Sequence, residues 1–210
     1  MALFSDQTLP NKICETVSLK QLCSFQEGYV NPAQTEPEYF DGDIKWLRAV
    51  DINESFIINT SRTLTNTGFR SAGKSAALFQ PNTIAISKSG TIGRLGIIAD
   101  YMCGNRAVIN IQPNEPKHLP FIYAFLKSKQ HEFPDLAVGS VQKNLYVSVL
   151  EPLAVGLPNS TDLNKFCNVG NDLLALMETT CQETLKLTAL RDTLLPKLMS
   201  GELDVTNIDI

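Results

Sequence analysis

Several classes of protein are excluded by what this chain of 210 residues does not have. No apolar run approaches the length of a membrane span, about 18 residues or more, so none is expected. The opening residues, MALFSDQTLPNKICETVS, lack the basic stretch and apolar block of a secretory signal. The five cysteines, at 14, 23, 103, 167 and 181, are odd in number, widely spaced and never in a C-x-x-C pair. Reduced thiols in a cytoplasmic protein are therefore the expectation. The two histidines, His118 and His131, lie near no cysteine pair, so no metal site is expected. There is no G-x-S-x-G elbow. There is no Asn/Asp-Pro-Pro-Tyr/Phe of an amino-methyltransferase, since Asn31-Pro32 continues as Ala33-Gln34. Asp100 with Glu115-Pro116-Lys117 has the residue types of a metal nuclease, but Pro116 falls where that site needs a strand. The chain is expected to have no active site and to hold no cofactor itself.

Nor is there an excess of positive charge. Eighteen Lys and Arg stand against 22 Asp and Glu, a net charge of −4. The distribution is uneven. Residues 40–106 hold eight basic and five acidic side chains, whereas residues 162–210 hold four basic and eight acidic ones. Phosphate contact needs a local basic surface and not a basic protein. Affinity for DNA is expected to be modest, because few phosphates can be neutralised.

What is present suits a folded domain, with 43% hydrophobic and 19% charged residues. Residues 13–25 fit a short helix or a strand equally well, and residues 31–38 (NPAQTEPE) read as a loop. Short strands with polar turns follow: Gly42–Ile52 as turn plus strand, Phe56–Ile58, Thr83–Ser87, Ile92–Ala99 and Ala107–Ile111. Apolar residues at 121, 122, 125 and 126 predict an amphipathic helix over Phe121–Lys129, ended near Pro134. Leu145–Leu150 and Leu153–Leu157 read as strands. The fold class is α+β, a β-rich domain over 1–158 followed by one long element over 159–210.

That last element is a helix. Residues 161–195 contain no Pro and one Gly, and are rich in Leu, Glu, Lys and Ala. At 1.5 Å per residue it is about 50 Å long. Asn159, Ser160 or Thr161 can cap it, with Asp162 in its first turn. Pro196 is expected to interrupt it, and Gly201 suits a left-handed C-terminal cap. Phe166, Leu173, Met177, Leu187 and Leu194 share one heptad phase, in which Gly170, Thr180, Thr184 and Arg191 are impure members. Leu174, Cys181, Leu185 and Leu195 make a second stripe about 100° away. Two stripes are wider than a two-stranded seam. The helix is expected to touch a partner helix and something else; folding onto its own domain is the alternative.

Gly68-Phe69-Arg70-Ser71-Ala72-Gly73-Lys74-Ser75 matches the phosphate-loop pattern G-x-x-x-x-G-K-[ST]. Such a loop follows a buried strand and opens a helix. Here Thr63–Thr67 is polar and Pro81 follows closely, so a basic loop in which Arg70 and Lys74 meet DNA phosphate is the preferred reading. Other polar residues sit beside glycines. Lys88-Ser89-Gly90-Thr91-Ile92-Gly93-Arg94 follows a predicted strand, and its Lys88, Ser89, Thr91 and Arg94 can reach phosphates or base edges. Arg106 begins another strand. Gln142, Lys143 and Asn144 supply amides suited to adenine and one cation. An ordinary hairpin and a supporting polar loop are the plain alternatives. Trp46 is read as core.

Four segments carry a resemblance, in order. Gly42-Asp43-Ile44-Lys45-Trp46-Leu47 with Asp51 looks like a GDIxW…D segment, Gly90-Thr91-Ile92-Gly93 like a GTIG turn, and Gly139-Ser140-Val141-Gln142-Lys143-Asn144-Leu145 like a GSxQxNL segment. The run from Arg191 to Leu203, RDTLLPKLMSGEL, is the most specific. Together they resemble specificity subunits of type I restriction–modification systems, in a half-length form with one target recognition domain (1–158) and one conserved helix with a short tail (159–210).

The resemblance implies a sequence-specific reader of double-stranded DNA that docks onto a modification (methyltransferase) subunit and, through that complex, a restriction subunit. Adenine methylation, DNA cleavage, and the binding of S-adenosylmethionine, ATP and Mg would belong to those partners. Members usually carry two such units, so a homodimer through the long helix is implied. Two readings from other classes stay open: a P-loop nucleotide-binding enzyme, and a coiled-coil oligomerisation module that binds a non-DNA ligand.

Overall fold

A computed structural model describes residues 13–140 and 142–202. In chain order these form β1 (Ile13–Ser18), α1 (Leu19–Leu22), β2 (Cys23–Glu27), β3 (Phe40–Leu47), β4 (Phe56–Ile57), β5 (Thr63–Leu64), α2 (Asn66–Arg70), β6 (Leu78–Phe79) and β7 (Thr83–Ser87). The chain continues as β8 (Leu95–Ile98), β9 (Met102–Gly104), β10 (Val108–Pro113), α3 (Leu119–Ser128), α4 (Phe133–Leu136), α5 (Val147–Leu150), β11 (Ala154–Pro158) and α6 (Ser160–Met199). The fold is a β-rich domain of mixed sheets followed by one long helix, as the sequence predicts.

Strand order in the larger sheet is β2-β10-β7-β8-β4, antiparallel except for β4 beside β8. Its central strands are covered on both faces. In β7, every residue of Thr83–Ser87 is buried. Period-two alternation sorts these strands between two cores. Ile84, Ile86, Leu95, Ile97, Ile109 and Ile111 join one core with α3. Ala85, Ile98 and Val108 join a second with Leu47, Ile57, Phe79 and Met102. The buried polar group Asn110 is satisfied by donating to Thr83 Oγ1 at 2.6 Å.

The smaller sheet has the order β5-β3-β9-β6 and a third core around Trp46, Phe40 and Leu64. Trp46 is 4% exposed and its indole N–H donates to Val30 O at 2.8 Å, which makes it core, as expected. β1 pairs with β11, tying the start of the domain to the strand before α6. Burial pushes the Cys23 and Cys103 thiols up to about 12, so both stay protonated and inert at neutral pH.

α6 begins where Asn159 Oδ1 accepts from Asp162 N at 2.9 Å. Its first half packs on α3. Cys167, Gly170 and Leu174 are buried, and Phe166 meets Phe121 edge-on at 6.1 Å. Gly170 is required by close approach, since a Cβ there would lie 2.6 Å from Pro120 Cβ. Past Cys181 every described helical residue is exposed.

Two expectations need correction. The run Leu145–Leu150 is not a strand: Val147–Leu150 is the short helix α5. Its β-branched residues favour a strand locally, but Leu145 and Leu150 are both fully buried and a helical turn brings both to the same core. Pro196 does not interrupt α6, which runs on to Met199, near its expected end, with Ser200 N donating to Pro196 O at 2.9 Å. The lost helix bond falls in the exposed last turn, where the orphaned carbonyl is open to solvent. Gly201, at φ 76°, supplies the left-handed cap.

Candidate nucleic-acid interface

Three polar turns, far apart in sequence, are joined by backbone hydrogen bonds at one end of the strands. Lys88 N donates to Ala107 O at 2.7 Å, and Leu145 N donates to Lys88 O at 2.9 Å. The β7–β8 turn, the β9–β10 turn and the 138–145 loop thus form one surface. Each turn is internally braced. Gly90 and Gly93 adopt φ of 76° and 85°, and Ser87 Oγ donates to Thr91 O and accepts from Arg94 N at 2.8 Å. Val138 and Asn144 exchange both backbone bonds at 2.9 Å. The GTIG and GSxQxNL residues are therefore mainly scaffold, shaping turns that hold other side chains outward.

Of the residues singled out in the sequence, Lys88, Ser89, Thr91, Arg106, Gln142, Lys143 and Asn144 come together here. Arg106 and Lys143 are exposed and have no hydrogen-bond or ion-pair partner among the described residues. They are free to meet phosphate or a base edge. Lys88 is differently placed. Its ammonium lies 2.9 Å from Glu27 Oε1 and 4.9 Å from the centroid of the Tyr146 ring, and its side chain is only 14% exposed. Arg94 lies off this surface, near enough to Glu54 to help hold that carboxyl below its ordinary range, after hydrogen bonds from Lys127 and Gln130.

Arg70 and Lys74 do not join the cluster. Thr65 N, just before α2, bonds Tyr39 O at the start of β3, whereas the turn surface meets the other end, where Asn105 N bonds Leu47 O. The eight residues of the phosphate-loop pattern also lack its architecture. Residues 66–70 are helical, and a Cβ on Gly68 would lie 2.1 Å from Tyr39 O. That glycine serves packing and not a phosphate cradle.

Sequence reasoning missed Glu27, Tyr29, Arg48, Arg62 and Tyr146. Arg48 follows β3 beside Asn105, and its guanidinium sits 5.4 Å from the Trp46 ring centroid. Arg62 stacks on Phe40 at 3.9 Å. Tyr29 and Tyr146 are 49% and 40% exposed on either side of the Glu27–Lys88 pair. No local pattern announces Glu27, Tyr29 and Tyr146, because they come from distant segments and meet only around Lys88.

The helix residues assigned to a partner divide into two groups. Phe166 and Met177 pack against the chain's own core, and Leu173 lines a groove of about 430 Å³ with Tyr123 and Leu176. The alternative of folding onto its own domain thus holds for this half. Leu187 and Leu194 are exposed, at 65% and 36%.

The family described as "Type I restriction modification DNA specificity domain" matches residues 11–178. The chain belongs to that family. It is 25% identical over 179 residues to the HindI specificity subunit of Haemophilus influenzae, covering 82% of this chain and 38% of the relative. It is 25% identical over 145 residues to the MjaIX specificity subunit of Methanocaldococcus jannaschii, covering 68% and 34%. The S subunit from M. genitalium shares its fold with TM-score 0.61 at 20% identity, over 91% of this chain and 47% of that one. The HsdS subunit from Thermoanaerobacter tengcongensis does so with TM-score 0.52 at 16% identity, over 93% and 46%. The chain spans about a third of the length of these curated relatives and under half of the solved ones. Among the described residues, no helix is long and apolar enough to cross a membrane.

Proposed function

We propose that this specificity domain is the DNA-reading part of a type I restriction–modification complex. It binds double-stranded DNA through the three-turn surface and directs adenine methylation and DNA cleavage that partner subunits carry out. Methyl transfer with S-adenosylmethionine belongs to the modification subunit, and ATP- and Mg-dependent cleavage to the restriction subunit. The chain itself catalyses nothing and sets the register. One observation carries this reading: Arg106 and Lys143, both exposed and unpaired among the described residues, share one backbone-bonded surface in a chain of the DNA specificity family. The uncovered second half of α6 supports a further step, in which two copies pair antiparallel and dock the modification subunits.

DNA binding by the complex of this chain with its modification subunit tests the proposal. Alanine at Arg106 and at Lys143 is expected to flatten the salt dependence by about one unit per lost phosphate contact, or to cost about 1–3 kcal/mol on the specific site where a base is read. Unchanged binding in the double variant would refute the surface. Steady ATP turnover by the pure chain, lost in Lys74→Ala, would restore the nucleotide-enzyme reading.

A further inference from the structure

Tyr29 stands on the turn surface with its backbone fixed on both sides. Gly28 N donates to Val108 O at 2.9 Å and Val30 N to Gly104 O at 3.1 Å, so it overlies the strands that flank Arg106. Its hydroxyl lies 2.8 Å from Glu27 Oε2, while Glu27 Oε1 holds Lys88 at 2.9 Å. Burial alone would raise the Glu27 carboxyl. The hydrogen bonds from Lys88 and Tyr29 outweigh that and hold it below its ordinary range. An ionised carboxylate accepts and cannot donate, so the proton in the Tyr29–Glu27 bond is the tyrosine's own. A phenol has one proton. With that proton directed at Glu27, the half-exposed oxygen of Tyr29 offers incoming groups only an acceptor.

We propose that Tyr29 is a specificity-determining residue that accepts a hydrogen bond from the exocyclic amine of an adenine or cytosine in the major groove. Glu27 and Lys88 are positioning residues that fix the direction of its proton. The assignment rests on the DNA-reading function above. In the major groove, adenine N6 and cytosine N4 donate, whereas thymine O4 and guanine O6 accept. A carbonyl base at that place sets acceptor against acceptor, and relief requires the phenol to leave a charged partner. Lys88, neutralised by Glu27 and facing the Tyr146 ring, is a brace of this unit and not a phosphate contact.

The test uses the complex of the full chain with its modification subunit, and its recognised DNA site. Each adenine is replaced in turn by purine, and each cytosine by 2-pyrimidinone, which lack only the amine. The wild type is expected to lose about tenfold or more in affinity at amine-read positions. Tyr29→Phe, which removes one oxygen from a half-exposed side chain, is expected to bind more weakly. At one of those positions, amine removal should cost it nothing further. Lys88→Met is expected to leave the slope of binding against salt unchanged while lowering the preference for the specific site. Amine removal that costs Tyr29→Phe as much as the wild type at every position overturns the Tyr29 assignment alone. A slope lowered by about one in Lys88→Met makes that residue a phosphate contact and overturns its positioning role. A wild-type complex without sequence preference removes the DNA reading itself, and this assignment with it.

Discussion

The two halves of α6 have similar composition and opposite surroundings. Over residues 160–181, Leu163, Phe166, Cys167, Leu174, Met177 and Cys181 pack on the chain's own core. Over residues 182–199, Leu185, Leu187, Leu190, Leu194, Leu195 and Leu198 face outward, with exposures from 36% to 65%. This bare half is about 27 Å long. An apolar stripe of that extent marks a surface to be covered. One heptad phase runs through both halves, so periodicity reports that a face is buried and not what buries it.

The comparison can be broken by mutation, and the sharpest cut is between two leucines. Leu174→Ala is expected to cost about 2–5 kcal/mol, because an enclosed side chain leaves a cavity between α6 and the sheet. Leu190→Ala should change the stability of the isolated chain by less than about 0.5 kcal/mol. Urea titration of both variants decides, and equal costs would erase the distinction between the halves. Gly170→Leu comes next, with about 1–3 kcal/mol expected from forcing a side chain against Pro120. Lifting of the helix would show as faster amide exchange over residues 160–181.

Acid should act on the domain side. Glu54 joins the loop before β4 to α3, with Lys127 at 3.1 Å and Gln130 at 2.9 Å. The Lys127 and Gln130 bonds lower its pKa from the ordinary 4.5, and Glu27 is lowered from the same value. Carboxyls with depressed folded values contribute fully above the unfolded value, and that contribution is lost as pH falls through the folded one. Thermal melts should show declining stability below about pH 4.5. The double variant Glu27→Gln, Glu54→Gln should be less stable at neutral pH and flatter in acid; an unaltered pH profile would contradict these pairs. The smallest effect on chain stability is expected for Leu187→Ser with Leu194→Ser, within about 0.5 kcal/mol. Light scattering at tens of micromolar should nonetheless show that this variant has lost the self-association expected of the parent.

Much of this fold was legible because its strands carry their own pattern. Thr83–Ser87 and residues 107–111 are apolar runs bounded by turn residues, and both became strands of the larger sheet. Leu145–Leu150 misled, since local β preference competed with a core that needed a helical turn. The proposed recognition surface was half legible. Glycine-flanked segments marked the turns, and Arg106 and Lys143 were found through them. Glu27 and Tyr29 were not, because a lone carboxylate and a tyrosine in separate elements acquire meaning only when Lys88 reaches them. Arg70 and Lys74 show the opposite: their familiar spacing lies away from those turns, beside a helix whose Gly68 packs against Tyr39.

That the chain reads DNA as one of a symmetric pair is tested most directly by methylome sequencing. Cells would express this chain with its modification subunit and no other specificity chain. Two copies joined antiparallel through residues 182–199 would present identical surfaces related by a two-fold axis. The expected result is a methylated motif of two identical, inverted halves around a spacer of fixed length, abolished in the Leu187→Ser, Leu194→Ser variant. A motif with two unrelated halves, or one that survives that variant unchanged, would contradict it.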